Sequence, residues 1–216
     1  HCNHRSPKKG VCCGVALDSR DFHAATCNVG GGVDHGHNRI RDWLRGWLEE
    51  RLGQAVATEE FVTGWDRPKA ELDEHGAPVI ERARLDVAFV DAEGRRAYAD
   101  IAVTSAATTS AENRSRRAAK DGVAAADMVR TKRSRYPAAK LPNCPLTPFV
   151  VEALGRLSPE AEGFLRSHAP EDKAERSLVL RRAKQALSVL VQERLAELLL
   201  SAEPGRLLGA PAPVPA

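Results

Sequence analysis

Between residues 38 and 52 apolar side chains recur at three- and four-residue intervals: Ile40, Trp43, Leu44, Trp47 and Leu48 share one side of a helix, and Gly53 marks its stop. A strand follows over residues 55–62, then a polar loop through Pro68 and Gly76. Two runs rich in Val, Ile, Phe and Tyr, residues 84–90 and 96–103, flank Asp91-Ala92-Glu93-Gly94-Arg95 and predict a hairpin. A three-residue loop with Gly94 left-handed sets Asp91 across from Arg95. Counted outward from that pair, Asp86 falls opposite Asp100, with Cβ atoms about 4.5–5.5 Å apart. Residues 112–135 read as a helix that ends before Pro137. Residues 146–151 read as a short buried strand, with Pro148 marking an edge or a strand start. Ser158-Pro159-Glu160 opens a helix, with Ser as N-cap, Pro in the first turn and an acid behind it. Residues 172–202 form a long helix with Val179, Ala183, Ala186, Leu190 and Leu198 near one stripe. The tail, 204–216, is rich in Pro, Gly and Ala and is expected to be disordered. The order helix, strand, strand, strand, helix, strand predicts an α/β fold: a mixed sheet with flanking helices.

Like charges placed across a strand pair destabilise it. A divalent cation between Asp86 and Asp100 turns that cost into a binding site, because hard carboxylate oxygens are what Mg²⁺ takes from proteins. The plainer reading leaves one of the two at a strand end in solvent.

The chain of 216 residues suffices for one full core plus an appendage, and 43% hydrophobic with 28% charged residues is ordinary globular composition. No run of about 18 apolar residues marks a membrane span. The chain opens on His1 rather than Met, so a preceding segment is expected. No signal-peptide pattern is read, so an intracellular setting is expected and disulfides are not. A net charge of +3 does not argue for nucleic acid by itself, but the charge is unevenly spread. Residues 112–135 hold eight bases (Arg114, Arg116, Arg117, Lys120, Arg130, Lys132, Arg133 and Arg135) against three acids. That is either a phosphate-facing footprint or a solvated helix face.

Residues 1–36 carry four of the five cysteines but too little apolar surface for a core. Cys2, Cys13, His23 and Cys27 suit a closed tetrahedral Zn²⁺ site, in which His-x3-Cys sets two ligands one helical turn apart. Zinc supplies the missing folding free energy, and four protein ligands make the site structural. Cys12 rivals Cys13, and His1 or His4 rivals Cys2; Gly14 favours Cys13 by easing the turn behind it. Cys144 reads as a buried small residue. His37-Asn38 raises the thought of a His-Asn nuclease with His37 activating water. No matching downstream histidine supports it, and Asn38 as a cap is the commoner role.

Taken in order, these features resemble the C-terminal endonuclease region of site-specific non-LTR retrotransposon polyproteins, a zinc knuckle followed by a restriction-like PD-(D/E)XK nuclease. The resemblance is carried by the Cys/His cluster, His37-Asn38 before a helix, Thr58-Glu59, Leu85-Asp86-Val87, Ala99-Asp100-Ile101-Ala102-Val103, Lys132-Arg133-Ser134-Arg135-Tyr136, and residues 148–155, and it covers roughly residues 2–169. It implies a zinc knuckle at 1–36, a restriction-endonuclease-like α-β-β-β-α-β core at 37–156, a C-terminal helical extension at 157–203 and the tail at 204–216. It further implies a Mg²⁺- or Mn²⁺-dependent enzyme that nicks DNA, with element RNA and an upstream reverse transcriptase domain as further partners and the nucleus as its setting. Asp86 matches the first motif acid, with Leu85 where proline is usual, and Asp100 matches the second. Ala102 stands where a lysine is expected, and Lys132 fits the shifted lysine of the retroelement group. Glu59 is a third, upstream carboxylate, with Glu60 its rival. Asp86 and Asp100 then hold magnesium, Lys132 orients water or offsets phosphate charge, and Arg114, Arg116, Arg117, Arg130, Arg133 and Arg135 meet the DNA backbone. A nuclease fold without activity, binding nucleic acid or a protein partner, is the alternative.

Overall fold

The central hairpin organises the molecule. Strands β4 (Arg84–Val90) and β5 (Arg96–Thr104) run antiparallel, Val87 opposite Ala99 and Val90 opposite Arg96. Gly94 takes a φ of +77°, the Asp91 N–H donates to the Arg95 carbonyl at 2.9 Å, and the Asp91 carboxylate accepts from the N–H of Glu93 and Arg95. The loop and the register are those the chain spells out. Strand β1 (Ala57–Phe61) joins β4 antiparallel, and β6 (Leu146–Glu152) joins β5 parallel, so the mixed sheet has the order β1-β4-β5-β6. Pro148 lies on this edge strand, where a missing donor is tolerated. The parallel pairing needs a crossover, which α3 (Ala111–Ala119) and α4 (Val123–Arg135) provide. The structure, a computed structural model, describes residues 1–6, 9–17, 22–27, 29, 32–105 and 111–202, so the expected disorder of 204–216 lies outside the described residues.

One sheet face, through Val87, Phe89, Ala99, Ile101, Phe149 and Val151, packs on α2 (Gly32–Leu52), α5 (Pro159–Ser167) and α6 (Lys173–Ala202). Ile40, Leu44 and Leu48 of α2 and Leu187 and Val191 of α6 are fully buried there, each contributing about 1.5–3 kcal/mol. On the other face Ala102 and Val150 sit under Ala125 and Val129 of α4, while Ala88 and Tyr98 pack with Trp65. Leu85 belongs to the same cluster as Ala88, so the alternation of β4 slips at Asp86. Beside it, Glu59 holds a φ of +57°, a conformation that L residues other than Asn or Asp rarely adopt. Among the described residues no helix is long and apolar enough to cross a membrane.

Several elements differ from the sequence pattern. Helix α2 starts at Gly32, a turn and a half before the apolar periodicity begins. Its polar opening packs on α6: a Cβ on Gly36 would stand inside the Arg194 side chain, 2.9 Å from its Cβ. The region 112–135 is two helices, broken at Gly122 with φ +77°. The polar loop between β1 and β4 contains a two-stranded ribbon, β2 (Arg67–Leu72) and β3 (Pro78–Glu81), whose exposed faces erase the strand signal. The buried stripe of α6 is Ala183, Leu187, Val191, Arg194, Leu198 and Ala202, displaced from the one read through Val179, Ala186 and Leu190. At α5 the Ser158 hydroxyl accepts the Ala161 N–H, the cap its sequence predicts.

Candidate functional site

A narrow turn forms at the N-terminus, where Arg5 bridges Cys12, the Cys13 N–H donates to the His4 carbonyl at 2.8 Å and the Gly14 N–H to the Cys2 carbonyl at 3.0 Å. Gly14 makes this possible with a φ of +69°. The turn brings Cys2 and Cys13 to α1 (Phe22–Thr26), which carries His23 and delivers Cys27 just beyond its end. The four ligand atoms lie within 4.8 Å of one another, and this is the one such group of three or more His, Cys, Asp or Glu among the described residues. Cys2 Sγ stands 3.8 Å from Cys27 Sγ, and Cys13 Sγ 3.2 Å from His23 Nε2. A tetrahedral ion with bonds of about 2.3 Å to sulfur and about 2.0 Å to nitrogen sets its ligands about 3.5–3.8 Å apart, so the group can hold a metal ion of zinc's size. Burial pushes the Cys27 thiol up to about 12, a proton that a bound cation displaces.

Cys12 is outside the group. His4, buried, contacts the Leu198 carbonyl (2.8 Å) and the Ser201 hydroxyl (2.9 Å) through Nε2 and so serves as an anchor to α6. The Asn3 N–H donates to the Ala202 carbonyl at 3.1 Å, and Cys2, Ala24 and Cys27 pack against Ala202. The cluster therefore doubles as a clasp for the far end of α6.

The second site lies where β4 and β5 part. Asp86 and Asp100 sit on neighbouring strands just beyond the last ladder pair, Val87–Ala99, near enough for the Asp86 charge to act on the Asp100 carboxyl. Asp86 Oδ2 accepts the Ile101 N–H at 2.6 Å and contacts His37 Nε2 at 3.1 Å. From α4 the Lys132 ammonium reaches 2.7 Å from Asp100 Oδ2 and donates to the Ile101 carbonyl at 3.0 Å. Asp100 is the more buried acid, its side chain 4% exposed against 16% for Asp86. Burial, reinforced by the Asp86 charge and opposed by Lys132, pushes the Asp100 carboxyl up to about 7. Burial also acts to raise Asp86, but the His37 hydrogen bond and charge overcome it and hold the carboxyl below its usual range. The same contact, working against burial, raises the His37 imidazole.

Glu59 does not join this pair. Its carboxylate meets Arg41 at 2.5 Å and Arg84 at 3.6 Å, and its strained backbone carries it outward. Glu60 pairs with Arg96 and accepts the Tyr98 hydroxyl at 2.9 Å. Ala102, at the position where the resemblance expects lysine, is buried beneath α4 with Ala125, Val129 and Val150. The partner of Asp86 that sequence reasoning missed is His37. Its position next to Asn38 at a helix start was visible, but the helix begins earlier and aims it at β4.

The arginines are committed to neighbours. Arg116, Arg117 and Arg130 converge on Asp127, and Arg117 also donates to the Ser105 carbonyl at 2.9 Å. Arg133 pairs with Glu160 at 2.9 Å, and Arg135 donates to the Trp65 carbonyl at 2.7 Å and lies 3.5 Å from Glu81. The side chain of Arg114 lies outside the described residues. Asp127 as the hub of three guanidiniums was not read from the chain, although its i,i+3 spacing to Arg130 was a signal. Comparison with known proteins returns no matching family model and no matching curated protein.

Proposed function

We propose that the protein is a metal-dependent DNA endonuclease with a restriction-like core and a structural zinc site, as its resemblance to the endonuclease region of site-specific non-LTR retrotransposon polyproteins implies. The observation that carries this reading is Lys132, which arrives from the crossover helix to stand 2.7 Å from Asp100 while Asp86 of the neighbouring strand β4 acts on the same carboxyl. The order α2, β1, β4, β5, crossover helices, β6 also agrees with the α-β-β-β-α-β core, with the β2–β3 ribbon as an insertion. Two neighbouring carboxylates, one of them pushed up to about 7 by burial and by the charge of the other, form a donor set suited to a hard divalent cation.

Asp86 and Asp100 would hold Mg²⁺ or Mn²⁺, which polarises the phosphodiester and lowers the pKa of attacking water. Lys132 offsets charge on the phosphate and orients the water through an ammonium already fixed by the Ile101 carbonyl. The Ile101 N–H fixes the Asp86 carboxylate in the same stroke. Arg116, Arg117, Arg130, Arg133 and Arg135 supply sequence-indifferent contacts to DNA once exchanged from their acidic partners. Cys2, Cys13, His23 and Cys27 hold Zn²⁺ with no open position, which makes the knuckle a brace.

The alternative, a nuclease fold that binds without cutting, draws on the buried Ala102. Plasmid nicking with Mg²⁺ or Mn²⁺ separates the two. Activity in the parent, lost in Asp86→Ala, Asp100→Ala and Lys132→Ala, supports the enzyme. A parent that binds DNA in a salt-sensitive way without nicking it supports the alternative, and equal nicking in all four proteins removes the assigned site.

A further inference from the structure

We infer that His37 is a positioning residue for Asp86, fixing which carboxylate oxygen is offered to a divalent cation; the inference rests on the metal-dependent reading above. Asp86 Oδ2 already has two partners, the Ile101 N–H at 2.6 Å and His37 Nε2 at 3.1 Å. With that oxygen engaged by two donors, Oδ1 is left for a cation, and Asp86 serves as a one-oxygen ligand. An unheld carboxylate swings between one-oxygen, two-oxygen and solvent-facing arrangements, and a cation must then repay the entropy of fixing it.

The position of His37 is itself over-determined. Gly36, its chain neighbour, lies against Arg194 with no room for a Cβ, so α2 approaches α6 at a distance that only glycine permits. One turn on, Arg39 bonds Glu193 and, at 3.2 Å, Glu197, both on α6. On the other ring nitrogen, Nδ1 lies 3.4 Å from Asn38 Oδ1, which accepts from Arg41 at 3.2 Å. The imidazole is thus clamped from α2, and it meets the carboxylate site at Asp86 Oδ2. His37 is not itself a ligand in this arrangement: its ring nitrogens do not gather with the Asp86 and Asp100 oxygens at metal-holding distances. A nitrogen that donates to a carboxylate also has no lone pair for a metal.

The test compares His37→Gln, which keeps an N–H donor, with His37→Leu, which keeps bulk and loses the donor. Mn²⁺ is titrated into the zinc-saturated full chain and followed by electron paramagnetic resonance, with circular dichroism to confirm equal helix content. The expected result is a loss of about 10–100-fold in Mn²⁺ affinity for His37→Leu, with His37→Gln within about threefold of the parent. Gln and Leu variants that bind Mn²⁺ alike overturn the assignment. Asp100→Asn in the same titration examines the reading underneath. If it binds like the parent, the metal-dependent reading falls and this inference with it; if it is weakened while Gln and Leu remain alike, His37 alone is removed.

Discussion

Lys132 and Asp100 come from different elements, a crossover helix and a central strand, yet their charged groups stand 2.7 Å apart. The ammonium lowers the cost of a buried carboxylate without cancelling it, since Asp100 still holds its proton up to about 7. In the unfolded chain an aspartate releases its proton near 3.9. Between about pH 4 and pH 7 the folded protein therefore keeps a proton that the unfolded chain has lost, and this group's contribution to stability is full below that window and gone above it. Asp100→Asn removes the titration. Thermal denaturation of the zinc-loaded protein without added Mg²⁺ or Mn²⁺ is expected to show the parent losing ground to the Asn variant across this window, with the variant more stable by about 1–3 kcal/mol at pH 8. Parallel pH profiles would contradict the assignment.

Zinc removal is expected to act at both ends of the chain. Cys2 and Cys27 pack on Ala202, and His4 holds the Leu198 carbonyl, so losing the cluster also frees the last turns of α6. Elemental analysis is expected to find one equivalent of zinc in the parent and none in Cys27→Ser, which should also lose helix content and Tm, whereas Cys12→Ser should match the parent in all three.

Asp127 gathers Arg116, Arg117 and Arg130. Releasing Arg116 and Arg130, 47% and 69% exposed, should help a phosphate backbone more than it harms the fold, because pairs with so exposed a partner contribute about 0–1 kcal/mol. Asp127→Asn is expected to tighten DNA binding at low salt and to steepen its salt dependence by about one to three released ions. An unchanged salt slope in a binding assay would show that this helix pair does not face DNA.

Gly36→Ala places a methyl group where the Arg194 side chain runs. Overpacking of this kind costs about 1–3 kcal/mol. Urea denaturation should register that loss, and Arg194→Ala in the same chain should recover part of it.

Glu59 stands with Arg41 and Arg84, away from the two aspartates. Glu59→Gln is accordingly expected to keep Mn²⁺ affinity within about threefold of the parent, while Asp86→Asn loses at least about tenfold. A loss in Glu59→Gln equal to that in Asp86→Asn would return Glu59 to the site.

The hairpin was legible because its loop leaves few choices: glycine in the left-handed position fixes the register, and the register fixes which residues face each other. The Cys/His group was legible because four ligand-forming residues in a segment without a core have few other roles. Lys132 could be suggested from the basic run that holds it and from the shifted lysine of the resemblance, but its reach to Asp100 depends on how α4 crosses the sheet, which periodicity does not encode. Hidden too were the ribbon of β2 and β3, whose exposed faces carry no alternation, and the break at Gly122, which a charge-rich helical pattern conceals. His37 was visible as a residue but not as a partner of Asp86. Its target is set by Gly36 and Arg194, a contact between segments far apart in the chain.

The hydrogen bond from Asn3 to Ala202 gives the domain one doorway. Any polypeptide leading into residue 1 and any continuing past residue 202 meet the folded body side by side, so flanking modules would be neighbours of each other as much as of the sheet. A pull applied between those two points would load the cysteine clasp first, before any strand felt the strain.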